Sequence, residues 1–78
     1  VGLSHNTNRA LAQVSLERER QEAKWGHQHH EPDRWLAILA EEFGEVAKDV
    51  VEGNDRNLYV ELTQVAAVAV AWMEDLAK

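Results

Sequence analysis

Apolar residues return at three- and four-residue steps along most of the chain, a spacing that predicts helices. The clearest stripe is Trp35, Leu36, Leu39, Phe43, Val46 and Val50, which fits a helix over residues 33–52. Pro32 suits its first turn, Asp33 can join its cap, and Gly53-Asn54 stops it. A weaker stripe of Leu11, Val14 and Leu16, with Trp25 at its end, predicts an earlier helix over residues 10–25, closed by Gly26. The polar run ahead of it, residues 1–9, reads as a flexible N-terminal arm. A third helix is expected from Asp55 or Asn57, either a suitable cap, to the end of the chain. Leu58, Leu62, Val65, Ala69, Trp72 and Leu76 form one lane of it, and Val68, Val70 and Ala71 spread apolar surface around the rest. No stretch alternates as a strand does, and no repeat is visible.

A helix apolar on most sides is buried on most sides. A 78-residue chain has too few other residues to supply that cover. The expectation is an all-α fold: a small helical bundle of about three main helices in a single domain over residues 10–78, completed by dimerisation. Ala66, Ala67, Ala69 and Ala71 permit close helix approach. The absence of cysteine excludes disulfides and thiolate metal sites. A net charge of −6 argues against a nucleic-acid polymer as partner. The longest apolar run, Val65 to Met73, is too short for a membrane span, and nothing reads as a signal peptide, so a cytoplasmic setting is expected. The chain opens on Val1 rather than Met, and a few native residues are expected ahead of it.

Candidate chemistry lies in the acidic positions. The second helix carries Glu41, Glu42, Glu45, Asp49 and Glu52. Glu42 and Glu45 stand about 60° apart on the helical wheel and about one turn apart along the axis. Their carboxylates can therefore reach one cation, and Asp49 extends the lane. In the third helix Glu61 and Gln64 share a lane with Val68 at the margin of the apolar face. Carboxylates gathered there repel one another, and a divalent cation relieves the repulsion. An all-oxygen set suits Mg²⁺ or Mn²⁺ better than zinc or di-iron. The chemistry implied is metal-assisted attack of water on a phosphate. Paired glutamates on a helix more often form a plain solvated face, and spacing alone leaves both readings open.

The pattern EEFGE (Glu41–Glu45), the spacer 46–60 and ELTQ (Glu61–Gln64) resemble the EExxE…ExxD signature of the MazG-like family, all-α nucleoside triphosphate pyrophosphatases. ERERQEAKWGHQHH (Glu17–His30) is similar to the segment preceding that signature in small relatives, and QVAAVAVAWMEDL (Gln64–Leu76) to their closing helix. The likeness spans about residues 14–77. It implies a helical bundle that forms a homodimer or a dimer of dimers. It also implies hydrolysis of a nucleoside triphosphate to the monophosphate and pyrophosphate, possible roles including nucleotide-pool house-cleaning. Glu42, Glu45 and Glu61 would bind Mg²⁺, and Glu41 would orient or activate a water. The fourth ligand position holds Gln64 where the signature has Asp, which weakens the site's charge.

Lys24 and Lys48 are candidate phosphate contacts and Trp25 a candidate base-stacking residue. Solvated lysines and a tryptophan packed over the core explain the same positions. Arg18 and Arg20 are similar cases. His27, His29 and His30 read as a solvated turn, Asn54 and Asn57 as turn and cap residues, and Trp35 and Trp72 as core. Two other functions fit the sequence. One is a metal- and nucleotide-binding module weakened in catalysis, motivated by Gln64. The other is a purely structural helical oligomerisation protein, motivated by the apolar third helix.

Overall fold

The computed structural model describes residue 2 and residues 4–77. It contains three helices in the order α1 (His5–Trp25), α2 (Pro32–Val51) and α3 (Leu58–Leu76), and no strand among the described residues. The all-α expectation holds, and α2 and α3 lie within a few residues of their expected positions.

The N-terminal arm needs correcting. Residues 5–9 are helical, because the Ser4 side chain accepts a hydrogen bond from the Thr7 backbone N–H at 3.0 Å and so caps α1. Val1 and Leu3 of the expected arm, and Lys78 at the far end, lie outside the described residues. The opening turns of α1 are exposed on every side. The helix ends at Gly26, whose φ of 72° is left-handed and whose N–H donates to the Glu22 carbonyl. Pro32 opens α2 as expected. Asn57 occupies the N-cap position of α3, but its side chain makes no capping hydrogen bond.

α3 packs against both other helices, while α1 and α2 do not pack against each other. The result is an open arrangement with α3 as floor and a cleft between α1 and α2. Its buried apolar residues are Trp35, Val46, Ala67 and Val68. Ala67 is wholly buried, at 0% exposure. The two α2 residues in this core come from the expected stripe, but the stripe splits. Trp35 and Val46 turn to α3, whereas Leu36 and Phe43 are each 59% exposed. Trp72 stacks nearly parallel on Trp35, with ring centres 6.5 Å apart.

The molecule is flat, with extents of 37 × 35 × 24 Å, and its radius of gyration is 13.6 Å. A compact chain of this length has a radius of about 11.5 Å. Among the described residues no helix is long and apolar enough to cross a membrane.

Candidate functional site

The cleft between α1 and α2 encloses a cavity of about 630 Å³. That size lies within the range of small-molecule sites, roughly 300–1,000 Å³. One wall is aromatic and apolar, formed by Trp25, His30, Trp35 and Ile38, with Val68 and Ala71 of α3 as the floor. The α1 wall is charged and polar: Glu17, Arg18, Arg20, Gln21 and Glu22. Glu42 and Glu45 of α2, Gln64 of α3, and His27 and Gln28 of the connecting loop supply the remaining polar positions.

A hydrogen-bonded clasp holds the loop between α1 and α2 in place. Asp75, near the end of α3, has a side chain only 4% exposed. It accepts hydrogen bonds from His29 Nδ1 (2.8 Å), the His30 backbone N–H (3.1 Å) and Trp35 Nε1 (2.9 Å). An ionised carboxylate has no proton to give, so Nδ1 of His29 carries the hydrogen. The His29 hydrogen bond, then that of Trp35, holds the Asp75 carboxyl well below the usual carboxylate range, against the opposing effect of burial. His30 adds an edge-on contact with Trp35, 4.9 Å between ring centres, and its Nε2 pairs with Gln28 Oε1 at 2.7 Å. The histidine loop is the exposed turn expected from its polarity, with His29 71% exposed, but it is also anchored to α3 through Asp75. Three donors from a loop and a tryptophan converge on one acid far away in the chain, which no local pattern reveals.

The acidic residues come together as expected in part. Glu42 is half-buried, and burial first, then the charges of Glu45, Glu41 and Glu17, push its carboxyl above the ordinary value. Glu61 is likewise pushed up, first by a hydrogen bond to the Asp49 carboxyl, then by burial and by the charges of Asp49, Glu45 and Glu42. Glu61 Oε1 is buried without a hydrogen-bond partner. Two helices thus gather Glu42, Glu45, Asp49 and Glu61 into one repelling group. Among the described residues, no three such side chains are arranged to hold a metal ion as they stand. The donor set is all oxygen, carries excess negative charge and includes an orphaned buried carboxylate oxygen, and these properties fit a hard divalent cation.

The remaining expected site residues fall elsewhere. Glu41 is exposed and does not line the cavity. Lys24 holds its Nζ 4.7 Å above the ring of Trp25 and is also outside the lining, as is Lys48. Trp25 does line the cavity, at its exposed rim. Gln64 lines it too, on the α3 side.

Glu17 and Gln21 line the cavity without having been singled out in the sequence, and Arg18, weighed there beside the candidate phosphate contacts, lines it too. Arg18 is 11% exposed and joins α1 to α3 through Glu74 at 2.6 Å, while also holding Glu22 at 2.6 Å. These carboxylates push its guanidinium further up. Arg20 is engaged with Glu17, at 2.6 Å, and Gln21 also donates to Glu17. The arginine hydrogen bond keeps Glu17 ionised by lowering its pKa. Both arginines of the cavity are therefore already paired. In sequence, the ERER run looks like any solvated helix face, and only the docking of α3 turns one side of it inward.

Comparison with protein-family models, with curated proteins and with solved structures gives no match to this chain.

Proposed function

We propose that the chain is a Mg²⁺-dependent nucleoside triphosphate pyrophosphohydrolase of the MazG-like kind, working as a homodimer and releasing pyrophosphate and a nucleoside monophosphate. The observation that carries this reading is the meeting of Glu42, Glu45 and Glu61, from two helices, beside a cavity of about 630 Å³ with one aromatic wall. The sequence resemblance supports the same residues. Glu42, Glu45 and Glu61 would hold the cation, with Mn²⁺ as an alternative to Mg²⁺. When bound, the cation supplies charge neutralisation on the phosphates and in the transition state. Closing the carboxylates around it calls for side-chain rotation, for which each glutamate has three torsions.

The chain's own residues account for the rest. Trp25, His30 and Trp35 supply aromatic surface to the cavity, the kind of surface a nucleobase packs against. Arg18 and Arg20 are neutralised by their own carboxylates, so the cavity by itself repels a triphosphate. Charge balance therefore favours a substrate that arrives with a divalent cation. Glu41, Lys24 and Lys48 stand outside this arrangement.

The dimer is supported by surface. The chain exposes 5879 Å². A globular monomer of its 8.8 kDa mass exposes about 4,800 Å². The excess is about 1,100 Å², enough for one side of a standard interface of roughly 800 Å² per partner. On α3, Tyr59, Leu62, Ala66, Ala69, Met73 and Leu76 recur at alternating three- and four-residue steps, all exposed or half-exposed. On α2, Leu36, Phe43 and Val50 recur every seven residues and are all exposed.

The test is pyrophosphate release from a panel of canonical and modified nucleoside triphosphates with Mg²⁺ or Mn²⁺, comparing the native chain with Glu42→Gln. Release that requires the metal and falls at least about 100-fold in the variant is expected. Metal binding without release from any substrate would instead favour a weakened binding module, the reading that Gln64 motivates. Folded protein with neither binding nor release would leave a structural oligomerisation role.

A further inference from the structure

α2 meets α3 through Trp35 and Val46, which lie about 20° apart on a wheel of about 100° per residue. Ile38, Glu42 and Glu45, which line the cavity, stand about 20–80° to one side of Trp35. Leu36, Ala40, Phe43, Ala47 and Val50 stand about 60–140° to the other side, and all are exposed. α3 is divided in the same way. Glu74, held by Arg18 of α1, lies about 120° to one side of Val68, and Trp72, stacked on Trp35 of α2, about 40° to the other. Beyond Trp72, at about 80–160°, come Leu62, Ala66, Ala69, Met73 and Leu76, all exposed or half-exposed. Both apolar lanes therefore lie across the α2–α3 contact from α1 and the cavity, and together they make one face.

The two lanes share a spacing. Each advances by four, three, four and three residues, the seam by which helices pack side by side. Ala40, Ala47, Ala66 and Ala69 leave room for close approach. No seam position carries a charge, so the face can meet a copy of itself without repulsion despite the net charge of −6. The surface in excess of a globular monomer, about 1,100 Å², is more than the roughly 800 Å² that each partner of a standard interface buries.

We infer that this α2–α3 face binds the same face of a second copy about a two-fold axis. The inference rests on the homodimer proposed above and names its interface. α1 and the cavity of each copy then stay on the outside, so each cavity is walled by one chain and remains open.

The experiment is sedimentation equilibrium over a dilution series for the native chain, Leu36→Glu, Leu62→Glu and Leu11→Glu, with circular dichroism to check folding. Leu11 is an exposed leucine of α1, away from the face. A native dimer is expected, weakened at least about tenfold by Leu36→Glu and by Leu62→Glu, and less than about twofold by Leu11→Glu. Because the native chain has no cysteine, Ala40→Cys, Ala47→Cys, Ala66→Cys and Ala69→Cys keep the test open if a glutamate variant does not fold. At least one of them is expected to form an interchain disulfide on mild oxidation, and Glu19→Cys on α1 is not. A native dimer that Leu11→Glu breaks and the seam variants do not, or cross-linking in Glu19→Cys alone, defeats this face and leaves the homodimer standing. A native chain that is monomeric at every concentration defeats the face and the homodimer together. Binding of that monomer to phosphatidylcholine vesicles would give the face to a lipid surface instead.

Discussion

Asp75 shows how much one side chain can organise. It is an acid in the interior, and burial alone would favour its neutral form. Donors from His29, His30 and Trp35 reverse that preference and fix the loop that walls the cavity. Asp75→Asn places a donor-bearing amide against three donors, so at least one hydrogen bond is lost. The variant is expected to melt about 5–10 °C lower, as read by circular dichroism. The pH dependence follows from the direction of the shift. Because the folded carboxyl titrates below its unfolded value, the unfolded chain binds more protons in that window, and stability rises with pH there. The Asp75 contribution is full above about pH 4 and is lost as pH falls through the depressed folded value. Urea midpoints measured on acidification should therefore fall more steeply for the native chain than for Asp75→Asn. Equal slopes would mean that the clasp does not hold in solution.

Among the elements, α1 is the least secured. Its apolar contribution is slight, its only buried residue is Gln21, and it touches α3 but not α2. Arg18 supplies the tie, since its guanidinium reaches Glu74 across the helix interface. The arginine is well covered while Glu22 and Glu74 are 40% and 46% exposed, so water screens the pair on one side. Arg18→Met keeps the aliphatic cover and removes the charge; a loss of about 1 kcal/mol is expected. Hydrogen exchange should quicken in α1 before α2 and α3. Uniform quickening through all three helices would contradict a separately attached α1.

At the scale of the whole molecule, the missing core is the central fact. Among the described residues no large side chain is fully buried, while Leu36, Phe43, Tyr59, Met73 and Leu76 stand in the open. A chain with this exposure gains stability by covering it, and the proposal assigns that cover to a second copy. Phe43→Glu places a charge on the exposed α2 lane and leaves the buried Trp35 and Val46 in place. It is expected to weaken self-association by about 10–100-fold, read by light scattering over a dilution series. A native chain that is monomeric at all concentrations would remove the dimer from the proposal.

Helix content and limits were largely legible in the chain, because local steps of three and four residues, Gly26 and Pro32 act within a turn or two. The same spacing placed Glu42 and Glu45 side by side, since neighbours on one helix are fixed by helical geometry. The Ser4 cap was equally local, but it lay in a polar stretch whose composition resembles an arm. What lies across helices had no such signature. The electrostatic coupling of Glu61 to the acids of α2, the inward turn of Glu17 and Arg18, and the hold of Asp75 on the histidine loop each join residues distant in sequence. So does the division of the α2 stripe into a buried half and an open one. The sequence by itself determined where the chain is helical and which side chains share a helix face, because hydrogen bonds within a helix span only a few residues. Which faces meet, and so which polar groups are buried together and which charges repel, was decided only by the docking of α1 and α2 on α3, because burial and electrostatic coupling depend on distance in space and not along the chain.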